Sequence, residues 1–303
     1  MEIVLPEIDE KELKKIKNEC FDRIIKDELI LDIIRTNDID VDFIKRHLYY
    51  FSAYLNDHKI CSSCPGPSIC KKKNSHLCMD LTIDKKKDSV SFAYRVCKEE
   101  RKISQVKKKF WLMQFENQYL YYSFKDCLKN FAFERHDVVK KMIEFVKNPT
   151  EKGIYLSGDI GTGKSFILKL FSVYLAKNEN TKSIIFVDCE NEFKSLENCY
   201  NTTLEYFNFY LDQFKEVQYL FLDDLGKEFK NDFVLSSILL PVVEYRLENH
   251  LPIFISSDYS LSEIKNAYSY ISKNYKSAKK LADMLSELVT ETKLMGMPYS
   301  KLK

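Results

Sequence analysis

Gly158-Asp159-Ile160-Gly161-Thr162-Gly163-Lys164-Ser165 places Gly-Lys-Ser four residues after a glycine. Glycines in that pattern let backbone N–H groups curl around phosphates with no Cβ in the way. Lys164 is expected to reach the β- and γ-phosphates of a nucleoside triphosphate such as ATP, and the Ser165 hydroxyl to ligate Mg²⁺. The apolar run Ile154-Tyr155-Leu156-Ser157 in front reads as a strand. The stretch from Phe166 to about Ala176 reads as a helix whose positive end faces the phosphates, with Phe166 closing the nucleotide-contacting segment. Three of the chain's seven glycines fall in this loop, which argues against a tight turn that carries a lysine by accident.

A second site follows. Tyr219-Leu220-Phe221-Leu222 is an apolar run ending in Asp223-Asp224, the pattern of a central parallel strand. In open α/β sheets ligands bind at the carboxyl ends of strands, so Asp223 is expected to hold Mg²⁺ and Asp224 to orient or deprotonate the attacking water. The alternative is a pair that caps the next helix. Ile253-Phe254-Ile255-Ser256-Ser257-Asp258 is a further apolar strand with polar residues at its end. Asp258 is either a sensor of the γ-phosphate or a turn residue before Ser260. As a sensor it needs a cation, a proton or Mg²⁺ beside it.

Nine cysteines without a signal peptide or an 18-residue apolar run point to a cytoplasmic chain with no membrane span. Cys61 and Cys64 have the spacing of a zinc knuckle, with Pro65-Gly66 as the tight turn, and Cys70 adds a third thiolate. Cys78 or His76 would complete a structural Zn²⁺ site. Cys20, Cys97, Cys127, Cys189 and Cys199 have no partner spacing and read as ordinary thiols.

These groups need a scaffold. Hydrophobic residues make up 45% of the 303 residues and charged residues 30%, enough for two ordinary domains. The net charge of +2 gives no global signature for nucleic acid or membrane. Helical periodicity covers Glu10 to Arg35 and Val41 to Leu55, and Asp80 to Cys97 reads as a β-hairpin around Lys85-Lys86-Lys87. Lys98 to Lys109 is highly charged and reads as a linker. Beyond it, helices over Arg135–Lys147, to Ala176, to Phe214 and to Asn249 alternate with strands at 154–157, 183–187, 219–222 and 253–256. That is the order of an α/β domain with a largely parallel sheet.

The combination resembles the bacterial primosomal helicase loaders, the DnaI/DnaC group of AAA+ ATPases, and within it the zinc-containing DnaI type. The residues that carry the resemblance are Cys61-x-x-Cys64-Pro-Gly, Cys70, Cys78, the segment Lys152 to Ser165, Leu222-Asp-Asp-Leu-Gly226, Tyr245-Arg246 and Ile255-Ser-Ser-Asp258. The resemblance implies an AAA+ P-loop ATPase domain over 125–303, a linker over 106–124 and a small α+β zinc domain over 1–105 that grips the replicative hexameric helicase. It implies single-stranded DNA binding, ATP-dependent self-assembly and delivery of the helicase onto DNA, with position 78 as the fourth zinc ligand. Two departures stand out. The family's sensor is normally Asn where this chain has Asp258, and its lid carries arginines where Lys276 to Val289 has Lys276, Lys279 and Lys280. Lysine does not reproduce a guanidinium fork, so slow intrinsic hydrolysis is expected. Arg246 is the nearest remaining arginine, with a structural salt bridge as its competing role. Lysines beside aromatics at Lys107–Trp111 and Tyr268–Lys276 are candidates for a strand-binding track. The competing functional readings are a transposition-helper ATPase of the IstB kind and a nucleotide-gated adaptor with negligible hydrolysis.

Overall fold

The structure, a computed structural model, describes residues 9–64, 66–72, 75–124, 133–272 and 274–295. Pro65 and Cys127 lie outside the described residues. The chain divides into two compact units, Met1–Lys102 and Ile103–Lys303.

The first unit is built by capping aspartates. Helix α1 (Glu10–Ile24) ends where Asp27 caps α2 (Glu28–Asn37), its carboxylate accepting from the Leu29 N–H. Asp40 caps α3 (Val41–Arg46) in the same way through Phe43 N–H, and α4 (Leu48–Ser62) follows. The first long periodic run expected from sequence is cut by a turn because Asp27 satisfies free N–H groups and starts a new helix, and the second is cut at His47, which starts α4 without a side-chain cap. Strands β1 (Leu77–Asp84) and β2 (Ser89–Val96) pair antiparallel across a 3₁₀ turn at Lys85–Lys87. The core is Ile24, Ile30, Phe43, Ile44, Phe51, Leu55 and Val90. The charged stretch expected as a linker instead forms helix α5 (Lys98–Lys107), with Val106 buried.

The second unit opens with β3 (Phe110–Met113), which pairs parallel with β5 (Ile184–Asp188). Residues 106–124 thus contribute an edge strand and the buried Leu120 rather than a linker. Next come α6 (Phe133–Lys147), β4 (Gly153–Ser157) and α7 (Lys164–Ala176). After β5 come α8 (Cys189–Thr202), α9 (Leu204–Glu216) and β6 (Tyr219–Asp223). A π-helical segment, Val234–Leu239, leads into α10 (Leu240–Glu248), then β7 (Ile253–Ser257), α11 (Leu261–Ser272), α12 (Tyr275–Leu288) and β8 (Val289–Lys293). The sheet order is β3-β5-β6-β7-β4-β8, every pair parallel.

Alternation along the strands feeds two apolar layers. Phe186, Phe221 and Phe254 face one layer with Phe145 and Phe171, while Ile185, Val187, Leu220, Leu222, Ile253 and Ile255 face the other. With both faces covered, β4, β6 and β7 are buried along their whole length, and polar groups are free to act only at their ends.

Arg246 secures the opposite end of the sheet. It is fully buried on α10 and its guanidinium donates to the carbonyls of Phe214, Lys215, Val217, Gln218 and Pro252, at 2.6 to 3.3 Å. Phe214 and Lys215 end α9, where carbonyls lack helical partners and the dipole favours a cation. Burial lowers its pKa to about 9, which still leaves it charged at neutral pH. This corrects both expectations for Arg246: among the described residues it forms no salt bridge, and both terminal nitrogens of its guanidinium are held on backbone carbonyls rather than free to reach nucleotide. Arg246→Leu leaves those acceptors buried and unpaired, and is expected to cost about 3 kcal/mol or more in denaturant unfolding, while Arg246→Lys retains part of the stability.

Candidate nucleotide site and cysteine pocket

The parallel sheet brings the C-terminal ends of three adjacent strands, β6, β7 and β4, to one edge. The loop 158–163 leaves β4 there. At Gly158, φ is 148° and a Cβ would stand 2.2 Å from the Leu294 carbonyl oxygen, so only glycine fits between the loop and the chain leaving β8. Gly163 caps α7 with φ 96°. The buried Arg135 lies beside it, its guanidinium 3.8 Å from where a Cβ would stand; sequence reading assigns Arg135 only the start of a helix.

The structure brings Lys164, Ser165, Asp223, Asp224 and Asp258 together. Lys164 is buried and folds back over its own loop, donating to the carbonyls of Gly158 (2.7 Å) and Asp159 (2.9 Å) and to Asp258 Oδ1 (2.7 Å). Ser165 Oγ stands 3.4 Å from Asp224 Oδ1. Asp224 follows β6 in the left-handed region, φ 59°, and its N–H donates to Ser256 Oγ on β7. The same Ser256 hydroxyl donates to Asp223. Lys227 pairs with Asp224 at 2.7 Å and approaches Asp258 Oδ2 to 3.9 Å. The cation that Asp258 needs is thus present twice over. Of the loop's other residues, Thr162 is buried with its hydroxyl on the Asp159 carbonyl, while Asp159 and Ile160 are exposed and Phe166 packs on Tyr119.

Asp223 is almost fully enclosed. Burial pushes its pKa up to about 6; the Ser256 donor opposes the rise, and the neighbouring charge of Asp224 adds to it. A carboxyl raised from 3.8 holds its proton longer in the folded chain than in the unfolded one. Its contribution is present at low pH and lost as pH rises through about 6. The nucleotide-free protein is therefore expected to lose on the order of 2 to 3 kcal/mol of unfolding free energy between about pH 4 and 6.5 from this group. Asp223→Asn should flatten that slope in urea titrations read at each pH.

The cysteines meet in the first unit. Cys61 sits in the last turn of α4, Cys64 donates its N–H to the Cys61 carbonyl, Cys70 ends a 3₁₀ turn and Cys78 lies on β1 opposite Arg95. All four line one cavity of about 360 Å³. Cys97 lines it too, although its spacing had marked it as an ordinary thiol; a residue just past the end of a hairpin returns beside the hairpin's start, and Cys97 N–H donates to the His76 carbonyl. His76 turns its ring nitrogens to the Pro67 carbonyl (3.0 Å) and Glu100 (3.2 Å). Among the described residues no group of three or more His, Cys, Asp and Glu side chains stands in metal-ligating geometry. Lys72 is buried in the same wall, held by Asp57 and the Leu77 carbonyl.

Other sequence candidates separate. Tyr268 is fully buried with its hydroxyl on Glu228, so it offers no stacking face. Trp111 remains partly exposed against Phe209 and Tyr210, and Lys107 and Lys108 are exposed. Lys276, Lys279 and Lys280 are exposed on α12, and Lys280 pairs with Glu244. Among the described residues no helix is long and apolar enough to cross a membrane.

No protein-family model matches the chain. Over 296 residues it is 27% identical to the replicative helicase loader DnaI of Bacillus subtilis (strain 168), covering 92% of this chain and 89% of that protein. It is 28% identical over 144 residues to the uncharacterized protein YqaM of the same organism, covering 46% of this chain and 44% of that one. Among solved structures, the crystal structure of DnaI has a TM-score of 0.52 at 24% identity, covering 62% of this chain and 98% of that chain, a likeness of fold. Similarity to the replicative helicase loader DnaI thus runs along nearly the whole length of this chain, and the P-loop α/β unit shares the fold of the DnaI crystal structure.

Proposed function

We propose that this chain is an ATP-dependent loader that delivers the replicative hexameric helicase onto single-stranded DNA. The observation that carries the reading is a phosphate loop after β4 and an acidic end of β6, one strand apart at the same edge of the sheet, in a chain similar to a helicase loader over 92% of its length. That span takes in the cysteine-bearing unit, which weighs against a transposition-helper ATPase.

In this reading ATP enters where Lys164 now folds back. Lys164 leaves the Gly158 and Asp159 carbonyls and Asp258 for the β- and γ-phosphates, and the backbone N–H groups of residues 161–165 cradle the phosphate chain. Ser165 and Asp223 would hold Mg²⁺, which supplies charge neutralisation on the β- and γ-oxygens. Asp224 orients the attacking water and accepts its proton once Lys227 moves away. Arg246 is committed to backbone carbonyls and α12 presents lysines, so intrinsic turnover is slow and nucleotide acts chiefly as an assembly switch. Brisk hydrolysis by the purified chain alone would sink that point.

The cysteine unit grips the helicase, with Zn²⁺ as an internal staple. Four of the five thiols at positions 61, 64, 70, 78 and 97 suit a closed structural site, whose ligands must be deprotonated and leave no open position for catalysis. His76, occupied by Pro67 and Glu100, is the poorer donor. The purified chain is expected to carry about one zinc ion. Serine substitution at Cys61, Cys64 or Cys78 should release it, and comparison of Cys70→Ser with Cys97→Ser by metal analysis identifies the fourth ligand. Single-stranded DNA is taken along Lys107, Lys108 and Trp111, by charge and stacking.

The decisive measurement is capture of the host's replicative helicase by the full chain, with ATP and with ADP. Binding that depends on nucleotide and is lost in Lys164→Ala supports the loader; no binding in either state overturns it and leaves an ATPase of another kind.

A further inference from the structure

Lys227 has no place in the motifs that mark this site, yet it stands at the centre of the site's charge. Gly226, with φ 97°, turns the chain after Asp223-Asp224-Leu225, and the Lys227 N–H donates to the Asp224 carbonyl at 3.1 Å. The side chain is thereby folded back across the acidic pair. Its ammonium lies 2.7 Å from Asp224 Oδ2 and 3.9 Å from Asp258 Oδ2, while Lys164 holds the other oxygen of Asp258 at 2.7 Å. Among the described residues Lys164 and Lys227 are the two cations paired with Asp258.

Even without nucleotide that arrangement has no cation to spare. Three carboxylates (Asp223, Asp224, Asp258) face two ammonium groups (Lys164, Lys227). When Lys164 moves to the phosphates, Asp258 loses its nearer cation as a dianionic terminal phosphate group approaches. Two anions in a half-buried cleft repel strongly unless a cation stands between them. Lys227 is the cation in position to do so, and it is partly solvent-exposed, so its flexible stem is free to swing.

We propose that Lys227 and Asp258 work as one γ-phosphate sensor. With a triphosphate bound, Lys227 leaves Asp224 and bridges Asp258 and the terminal phosphate, donating to both. With a diphosphate it stays on Asp224. A carboxylate thereby does the work of a neutral polar sensor, because a lysine supplied in cis carries its missing donor. The exchange also uncovers the Asp224 carboxylate only when a γ-phosphate is present.

The inference rests on the nucleotide-site reading, and one binding series separates the two. Fluorescent ADP and a non-hydrolysable ATP analogue, each with Mg²⁺, are titrated into the wild-type chain, Lys164→Ala, Lys227→Ala, Lys227→Arg, Asp258→Asn and Lys227→Ala/Asp258→Asn, with thermal melts confirming folding. Lys227→Ala should weaken the ATP analogue about tenfold or more, the loss of one charge-assisted hydrogen bond, and ADP less than about twofold. Lys227→Arg should restore most of the preference. Adding Asp258→Asn to Lys227→Ala should recover triphosphate binding, because the uncompensated carboxylate is gone. Equal weakening of both nucleotides by Lys227→Ala, no change in either, or additive losses in the double variant overturns the sensor. If wild-type chain binds neither nucleotide, or Lys164→Ala binds both as wild type does, the nucleotide-site reading itself falls.

Discussion

The central strands of the second unit have no water on either face and carry charge only at their ends. The phenylalanines of β5, β6 and β7 fill one side of the sheet and the aliphatic side chains of the same strands fill the other. An ionised group within such a strand would have no partner and no solvent, at a cost of several kcal/mol or more. Polar chemistry is therefore pushed to the strand termini, and the parallel arrangement collects the carboxyl ends along one edge. Lys164, Asp223, Asp224 and Asp258 meet there because the sheet permits them nowhere else. The opposite end of the sheet answers to the same rule: free carbonyls around the start of β6 and β7 require a donor, and Arg246 supplies it.

The groups at the active edge hold one another in a waiting state. Lys164 occupies the carbonyls of its own loop and the carboxylate of Asp258. Lys227 occupies Asp224. Ser256 satisfies the buried Asp223 through its hydroxyl while receiving the Asp224 N–H. Phosphates entering this site exchange existing ion pairs for stronger ones instead of meeting bare charges, so the nucleotide-free loop has its buried lysine paired at every turn. This is the physical basis of the switch we propose: arrival of nucleotide would redistribute the partners of two lysines and three carboxylates.

The sequence made the motif-bearing half of this site legible and left the compensating half dark. A phosphate loop announces itself because its chemistry demands particular residues at fixed spacing, and the apolar runs before Gly158 and Asp223 are long enough to read as buried strands. β3 and β8 escaped. Val289-Thr-Glu-Thr-Lys293 pairs along one edge of β4 and is half polar, so it lacks the apolar run that marks a central strand. Helix α5 escaped because a helix that buries only Val106 looks like a charged tether. Cys97 has no partner within knuckle spacing; only the hairpin register brings it back to the pocket. In each case the missing information is a long-range pairing, which no local pattern contains.

Lys227 shows the same limit at the level of function. A lysine three residues after an acidic strand end reads as a solvated charge, and nothing about its spacing assigns it to phosphate. What gives it meaning is the φ of Gly226, which folds it back, and Asp258, just past the end of β7. Read alone, Asp258 looked like a defect, an anion where a neutral group belongs. Paired with Lys227 it becomes half of a salt-bridged donor, and the unusual residue and its correction follow adjacent strands, β7 and β6. Loss of the lid arginines then falls into line: a chain that carries its γ-phosphate contact in cis depends less on a donor from a neighbouring subunit to tell ATP from ADP. It still lacks the planar fork that stabilises a transferring phosphoryl group. Under the proposed function, such a site would discriminate the triphosphate well and cleave it slowly, as suits a component that stays assembled until its cargo is on DNA.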